Sequence, residues 1–353
     1  MAWWLGFSPL RVLWAGTDAV IVFFVLSGLV LALPWVSGRP PSWRSYYGKR
    51  IVRLYLPVVA AVGLAVVLIA SVDRTADRPV SFWLAMFHPS TVHPGQVLDD
   101  LALIRGANFT NTALWSLQWE VVFSITLPLW IGLARRADTR LRPFVVATIA
   151  AIALGASMTS RTGHALMYLP MFVLGVLMAF HRTQVAAGGA RLRRAVGRHD
   201  ALVVLGAATA LVVLPKLNEA FGVLVDPVAP AITVVQVLAV VLAAVLLVAA
   251  AWTTPAVVAW LERPTCQWLG SRSYALYLVH EPIVVAVAFA VGGRPSPAVL
   301  LFAALPAALV TAEVFYRTVE RPSIALASAC GRAAGRPRTR DAERPAHRAG
   351  RSR

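Results

Sequence analysis

Residues 15–57 read AGTDAVIVFFVLSGLVLALPWVSGRPPSWRSYYGKRIVRLYLP, and no other stretch restricts the fold so sharply. Two apolar runs stand either side of a short basic loop. A helix needs about 20 apolar residues to cross the hydrocarbon core of a bilayer, and both runs approach that length. The second run opens with Arg50 and Arg53, which at i and i+3 of a helix face the same way. An arginine aimed into hydrocarbon costs several kcal/mol, so it must snorkel to the interface or hold something negative.

Composition extends this constraint to the whole chain. Of 353 residues, 58% are hydrophobic and only 14% charged, with a mean hydropathy of +0.69. A soluble domain of this length needs far more surface charge. The class is therefore all-α: a polytopic membrane helix bundle with the lipid bilayer as its main partner. A net charge of +17 invites a nucleic-acid reading, but the basic residues sit in short loops and in the tail, so no nucleic acid is expected. Cys266 and Cys330 do not suggest a disulfide framework, and no metal site is expected. The first fourteen residues, with Trp3, Trp4 and Trp14, suit an interfacial segment and lack a signal-peptide cleavage pattern.

Nine spans are expected, at roughly 15–37, 51–71, 113–133, 143–159, 164–180, 201–215, 229–251, 273–291 and 297–317. Arginine is concentrated in alternate connections. One set holds Arg39 and Arg44, then Arg135, Arg136, Arg140 and Arg142, then Arg182 to Arg198, then Arg263 and Arg272. The intervening set holds scattered residues such as Arg74, Arg161 and Arg294. The positive-inside rule makes the first set cytoplasmic, so the C-terminus is inside and the N-terminus outside, in the plasma membrane. The outer connection 72–112, carrying Asp73, Asp77, His88, His93, Asp99, Asp100 and Asn108, is long for a structureless loop. The tail, 326–353, is basic and rich in Pro and Gly towards its end, and is expected to be disordered.

Several intramembrane residues could carry chemistry. Arg50, Arg53 and Lys49, with Tyr46, Tyr47 and Tyr55 nearby, either mark topology or hold a polyanion arriving from the cytoplasm. Trp115-Ser116-Leu117-Gln118-Trp119-Glu120 opens the third span, where an inward Glu120 needs a partner. Asp18 is as readily an N-cap as a functional acid, and Ser27-Gly28 is explained by close helix packing. In Ser273-Tyr274-Ala275-Leu276-Tyr277-Leu278-Val279-His280-Glu281-Pro282, Tyr274, Tyr277 and Glu281 share a face. A lone intramembrane His280 reads by default as a hydrogen-bonded structural histidine, though two polar residues beside a proline also suit a substrate site.

Taken together, these elements resemble the acyltransferase 3 family of integral membrane acyltransferases. The matching pieces, in family order, are FFVLSG (23–28), KRIVRLYLP (49–57), the WSL element with its glutamate (115–120), YLPMFVLGVLMA (168–179), SYALYLVHEP (273–282) and VERP (319–322). The resemblance implies a membrane domain over 1–325 and a ten-helix fold. It also implies transfer of an acyl group, often acetyl, from cytoplasmic acyl-coenzyme A to a hydroxyl of a carbohydrate, lipid-linked glycan or secondary metabolite. Arg50 and Arg53, with Lys49, match the family's coenzyme A-binding pair, and Glu120 its WSL glutamate, with Trp115 beside it.

The departure is equally specific. The family's first helix carries an arginine and the histidine regarded as the catalytic base, whereas this sequence has no histidine before His88 and begins where the second helix would. The nine spans are the family's ten minus the first. The expectation is a start set downstream of the true one, or else a shortened and inactive member; the base itself stays unassigned, since neither His280 nor His164 is expected to replace it. The rival reading is a transporter or flippase for an anionic or polyprenyl-linked substrate, lined by Arg50, Arg53, Glu120 and His280, although no internal repeat supports it.

Overall fold

The computed structural model describes residues 16–335 apart from 39, 75–81, 89, 104–108, 138–140, 159 and 222–228. The tryptophan-rich stretch 1–14, Asp77, Asn108 and residues 336–353 lie outside the described residues. Among the described residues every regular element is helical. In order these are α1 (Gly16–Val36), α2 (Trp43–Ser71), α3 (Phe82–Phe87), α4 (Pro94–Ala102), α5 (Leu114–Ala137), α6 (Leu141–Ala156), α7 (Arg161–Phe180), α8 (Arg182–Val196), α9 (Asp200–Phe221), α10 (Ala229–Thr253), α11 (Pro255–Leu261), α12 (Pro264–Ala290) and α13, continuous from Pro297–Val299 through Arg321–Gly335.

Eight of the described helical segments are long and apolar enough to cross a membrane. They coincide in order with the expected spans, except that the fourth, Leu141–Ala156, is an apolar helix too short to be counted with them. The count of nine thus becomes eight long spans and one short apolar helix.

Boundaries differ where polar residues extend an apolar run. α2 begins at Trp43, not 51, because Ser42 Oγ accepts the Ser45 amide at 3.2 Å as an N-cap. The added turns also bury Tyr46, with Trp43 stacked on Trp35 at 4.7 Å between ring centroids. α12 begins at Pro264, a residue suited to the first helical turn. The last helix runs through Gly335, so residues 326–335 are helical where composition suggested disorder. Their anchor is a buried hydrogen bond from Ser45 Oγ to the Gly331 carbonyl, 2.7 Å.

Two apolar cores hold the bundle together. One joins α1, α5, α6, α7 and α10 around Phe24, Phe123 and Phe172, with Phe172 stacked at 4.5 Å on each of the other two. α1 and α7 approach so closely that a Cβ at Gly28 would strike the Phe172 carbonyl, and one at Gly175 the Val25 carbonyl. Small residues at such a seam let backbones touch and gain dispersion contact, which explains the Ser27-Gly28 pair as packing. The other core joins α2, α5, α12 and α13 through Leu54, Val58, Leu117, Leu278 and Phe315.

Candidate active site

Glu120 lies about 9 Å along α5 from its first residue and is only 4% exposed. Its Oε1 accepts from Arg50 Nη2 of α2, and Arg50 Nε donates to Ser124 Oγ one turn further along α5, at 3.1 Å. The Tyr46 hydroxyl donates to the Ser124 carbonyl at 3.3 Å. A charge buried at this depth is tolerated when it is paired and its remaining valences are hydrogen-bonded. The inward reading of Glu120 holds, and Trp119 is buried beside it rather than at an interface. Glu120 Oε2 has no hydrogen-bond partner among the described residues.

Arg50 and Arg53 therefore differ in what they can do. Arg50 is committed to the protein interior, whereas Arg53 is exposed, as is Lys49, whose aliphatic stem lies against Gly331 of the last helix. Beside Arg50 is a crevice of about 360 Å³ lined by Tyr47, Ile51, Leu54, Tyr55, Val121, Ser124 and Ile125.

A second, larger cavity of about 810 Å³ opens between α1, α5 and α12. Trp115 and Leu117 of α5 and Val20, Phe23 and Leu26 of α1 form its apolar walls. Ser273, Tyr274, Tyr277, His280 and Glu281 of α12 line the opposite side, so the face expected for Tyr274, Tyr277 and Glu281 is the one presented. Tyr277 is held by donating to the Ala113 carbonyl at 2.6 Å and pairing with Ser116 Oγ at 2.6 Å. Tyr274 donates to the Leu54 carbonyl at 3.2 Å. Tyr274, which lines the larger cavity, thus touches Leu54, which lines the crevice. Asp18, half-buried in the first turn of α1 where the helix dipole favours a carboxylate, and the half-buried Ser27 do not line the cavity.

Two elements of the site escaped the sequence. The outer connection is not loose: α3 and α4 occupy it, and the fully buried Asp100 closes it by accepting from the Thr110 amide and hydroxyl, both at 2.6 Å. From this connection His88 descends into the bundle and donates Nε2–H to Glu281 Oε1 at 2.9 Å, both side chains being buried. Thr112 Oγ1 donates to the same oxygen at 2.7 Å, and the Ala113 amide to Oε2 at 2.7 Å. Because α12 starts at Pro264, Glu281 is about 25 Å along it, so it meets the 72–112 connection rather than lying near the start of the helix. The available signal was a carboxylate in an apolar span that required donors, beside a connection too long to be idle. Arg74 is also buried there, its guanidinium 5.9 Å from the Phe289 ring; burial pulls its pKa down from the usual arginine value and the Glu281 carboxylate raises it.

At the other end of α12, Arg272 pairs with Glu313 at 2.7 Å and lies 4.5 Å over the Tyr316 ring. Glu320, buried in a π-helical turn of α13, accepts the Ala275 amide at 3.0 Å. The VERP glutamate thus ties α13 to α12.

Comparison with known proteins identifies the family. A family profile described as an acyltransferase domain matches residues 5–317. Acyltransferase MdmB of Streptomyces mycarofaciens is 28% identical over 352 residues, an alignment covering 91% of this chain and 84% of the relative. No solved structure matches the chain.

Proposed function

This chain belongs to the acyltransferase domain family and is a membrane acyl-transferring enzyme; from that premise we propose that it moves an acyl group, acetyl by preference, from cytoplasmic acyl-coenzyme A to a hydroxyl of a carbohydrate, lipid-linked glycan or secondary metabolite. The observation that carries the reading is the division of labour at the start of α2. Buried Arg50 holds α2 to Glu120 of α5, while Arg53 and Lys49 keep their charges exposed at the basic end of the helix. Exposed cations suit the phosphates of coenzyme A, which bind well to guanidinium and ammonium groups. In this reading the protein sits in the plasma membrane with its C-terminus in the cytoplasm, an orientation that the arginine-rich alternate connections support.

The chemistry requires the donor thioester carbonyl and the acceptor hydroxyl to meet in contact. The acceptor oxygen attacks the thioester carbonyl carbon, its proton passes to a base, the C–S bond breaks, and the coenzyme A thiolate regains a proton. In this reading the crevice beside Arg50 lies towards the donor and the large cavity towards the acceptor, with Tyr274 between them. The Arg50–Glu120 pair, with Trp115 packed nearby, fixes the geometry.

The test is donor binding. Membranes containing the protein are labelled with a photoreactive acetyl-coenzyme A analogue, with unlabelled acetyl-coenzyme A as competitor. Wild type should label competitively, and K49A/R53A should lose at least tenfold in affinity. Equal labelling of the double variant would overturn the donor assignment.

A further inference from the structure

We infer that α8 and the start of α9 form a binding site for an anionic phospholipid, its phosphate held by Arg194 and Arg198 and an acyl chain laid along α9; the site stands apart from the acyl-transfer reading. From Arg182 to Arg198 the chain carries five arginines and no acidic residue. All five are exposed, and none takes part in an ion pair among the described residues. Arg194 Nε donates to the Ala190 carbonyl at 3.4 Å, which leaves the two terminal nitrogens of its guanidinium for a phosphate. A basic cluster of this size on a helix beside a membrane span attracts anionic headgroups.

The fold fixes where these charges stand. Val185, Gly189, Leu192 and Val196, spaced i, i+4, i+7 and i+11, form a half-buried stripe on α8. A Cβ at Gly189 would lie 2.6 Å from Thr253 Cβ in the last turn of α10. α8 therefore lies against the end of α10, and Arg191 and Arg194 are on its opposite face. Gly197, at φ 60° and ψ −133°, a backbone that favours glycine, then turns the chain into α9. Arg198 follows, about one helical turn ahead of Leu202.

The apolar part of the site continues from there. A groove of about 450 Å³ follows one face of α9 from Leu202 to Leu214, with the small residues Gly206 and Ala210 along it. Leu202, Leu205 and Leu214 stand exposed at its sides. This length of helix spans about 18 Å, close to the roughly 15 Å of one leaflet in a hydrocarbon core about 30 Å thick. Cations at one end and an apolar groove of one-leaflet length leading away from them match a charged headgroup with its chain. A soluble anion would use only the first and a neutral lipid only the second.

The experiment offers the purified full chain phosphatidylglycerol and phosphatidylcholine of identical chains at equal concentration, and reads lipid retention by native mass spectrometry. Wild type should prefer phosphatidylglycerol about tenfold, and R194Q/R198Q should lose about fivefold in its affinity for each arginine removed. R135Q/R136Q, the same loss of charge at the end of α5, should keep the wild-type preference. G206L fills the groove at a position where a Cβ meets nothing within 4 Å; with every charge in place, it should still lower phosphatidylglycerol retention about threefold or more. This variant carries the test if R194Q/R198Q does not fold. No lipid preference in wild type, wild-type retention in R194Q/R198Q or in G206L, or an equal loss in R135Q/R136Q would each overturn the site. Displacement of phosphatidylglycerol by millimolar inorganic phosphate would overturn the lipid as its occupant.

Discussion

His88 Nε2 lies 2.9 Å from Glu281 Oε1, joining the outer connection to the middle of α12 across 193 residues of sequence. Glu281 is a junction: removing it takes away the acceptor of the Ala113 amide, the Thr112 hydroxyl and His88 Nε2 at once. Loss of one buried partner costs about 1–3 kcal/mol per stranded group, more where charge is involved. E281A should therefore lower the unfolding midpoint in detergent far more than H88Q. Limited proteolysis should cut the 82–113 region sooner in E281A, and identical protection in the two proteins would refute the junction.

The buried pair between α2 and α5 leads to a second prediction. Removing one member of a buried ion pair costs about 3–5 kcal/mol, because the other charge is left uncompensated. R50A and E120A should each reduce the monodisperse yield on size-exclusion chromatography. R53A, at an exposed position, should leave it unchanged. R50K should also fail, since one ammonium cannot reproduce the fork from Nη2 to Glu120 and Nε to Ser124.

The α1–α7 seam yields a third. An added methyl at Gly28 or Gly175 meets backbone carbonyl, which cannot swing aside as a side chain can. Overpacking of this kind costs about 1–3 kcal/mol and more where backbone must shift. G28A and G175A should lower the thermal midpoint, while G63A, where a Cβ meets nothing within 4 Å, should stay within experimental error of wild type. Thermal unfolding in detergent compares the three directly.

These relationships differ in how readable they were from the residues alone. Apolar runs reported the spans because bilayer thickness acts on each segment locally. The resemblance carried by the WSL and HEP elements located the two helices, α5 and α12, that line the large cavity. Arg50 and Arg53 share a helical face by spacing, yet Arg50 ion-pairs with Glu120 of α5, 70 residues away, while Arg53 acts on Glu320 of α13 at longer range. His88 was hidden for the same reason. Nothing local marks a loop histidine as the partner of a glutamate in a distant span. His280 is held by two carbonyls of its own helix, a feature of backbone geometry rather than residue identity.

The end of α13 supplies the last prediction, at a place where composition misled. Gly and Arg enrichment suggested a solvated tail, yet the helix continues through Gly335 and covers the start of α2. Ser45 Oγ donates to the Gly331 carbonyl at 2.7 Å, and Ala327 is 3% exposed. A chain ended after residue 325 loses both contacts and leaves the buried Ser45 hydroxyl without that acceptor, a cost of about 1–3 kcal/mol. A chain ended after 335 keeps them. The shorter protein should show a lower unfolding midpoint and weaker donor labelling, because Lys49, which lies against Gly331, loses its support beside Arg53. G331A gives the graded control: its methyl displaces only the flexible Lys49 stem, so stability should fall by less than about 1 kcal/mol. Equal midpoints for the 325 and 335 proteins would show that the last helix contributes nothing to the hold on α2.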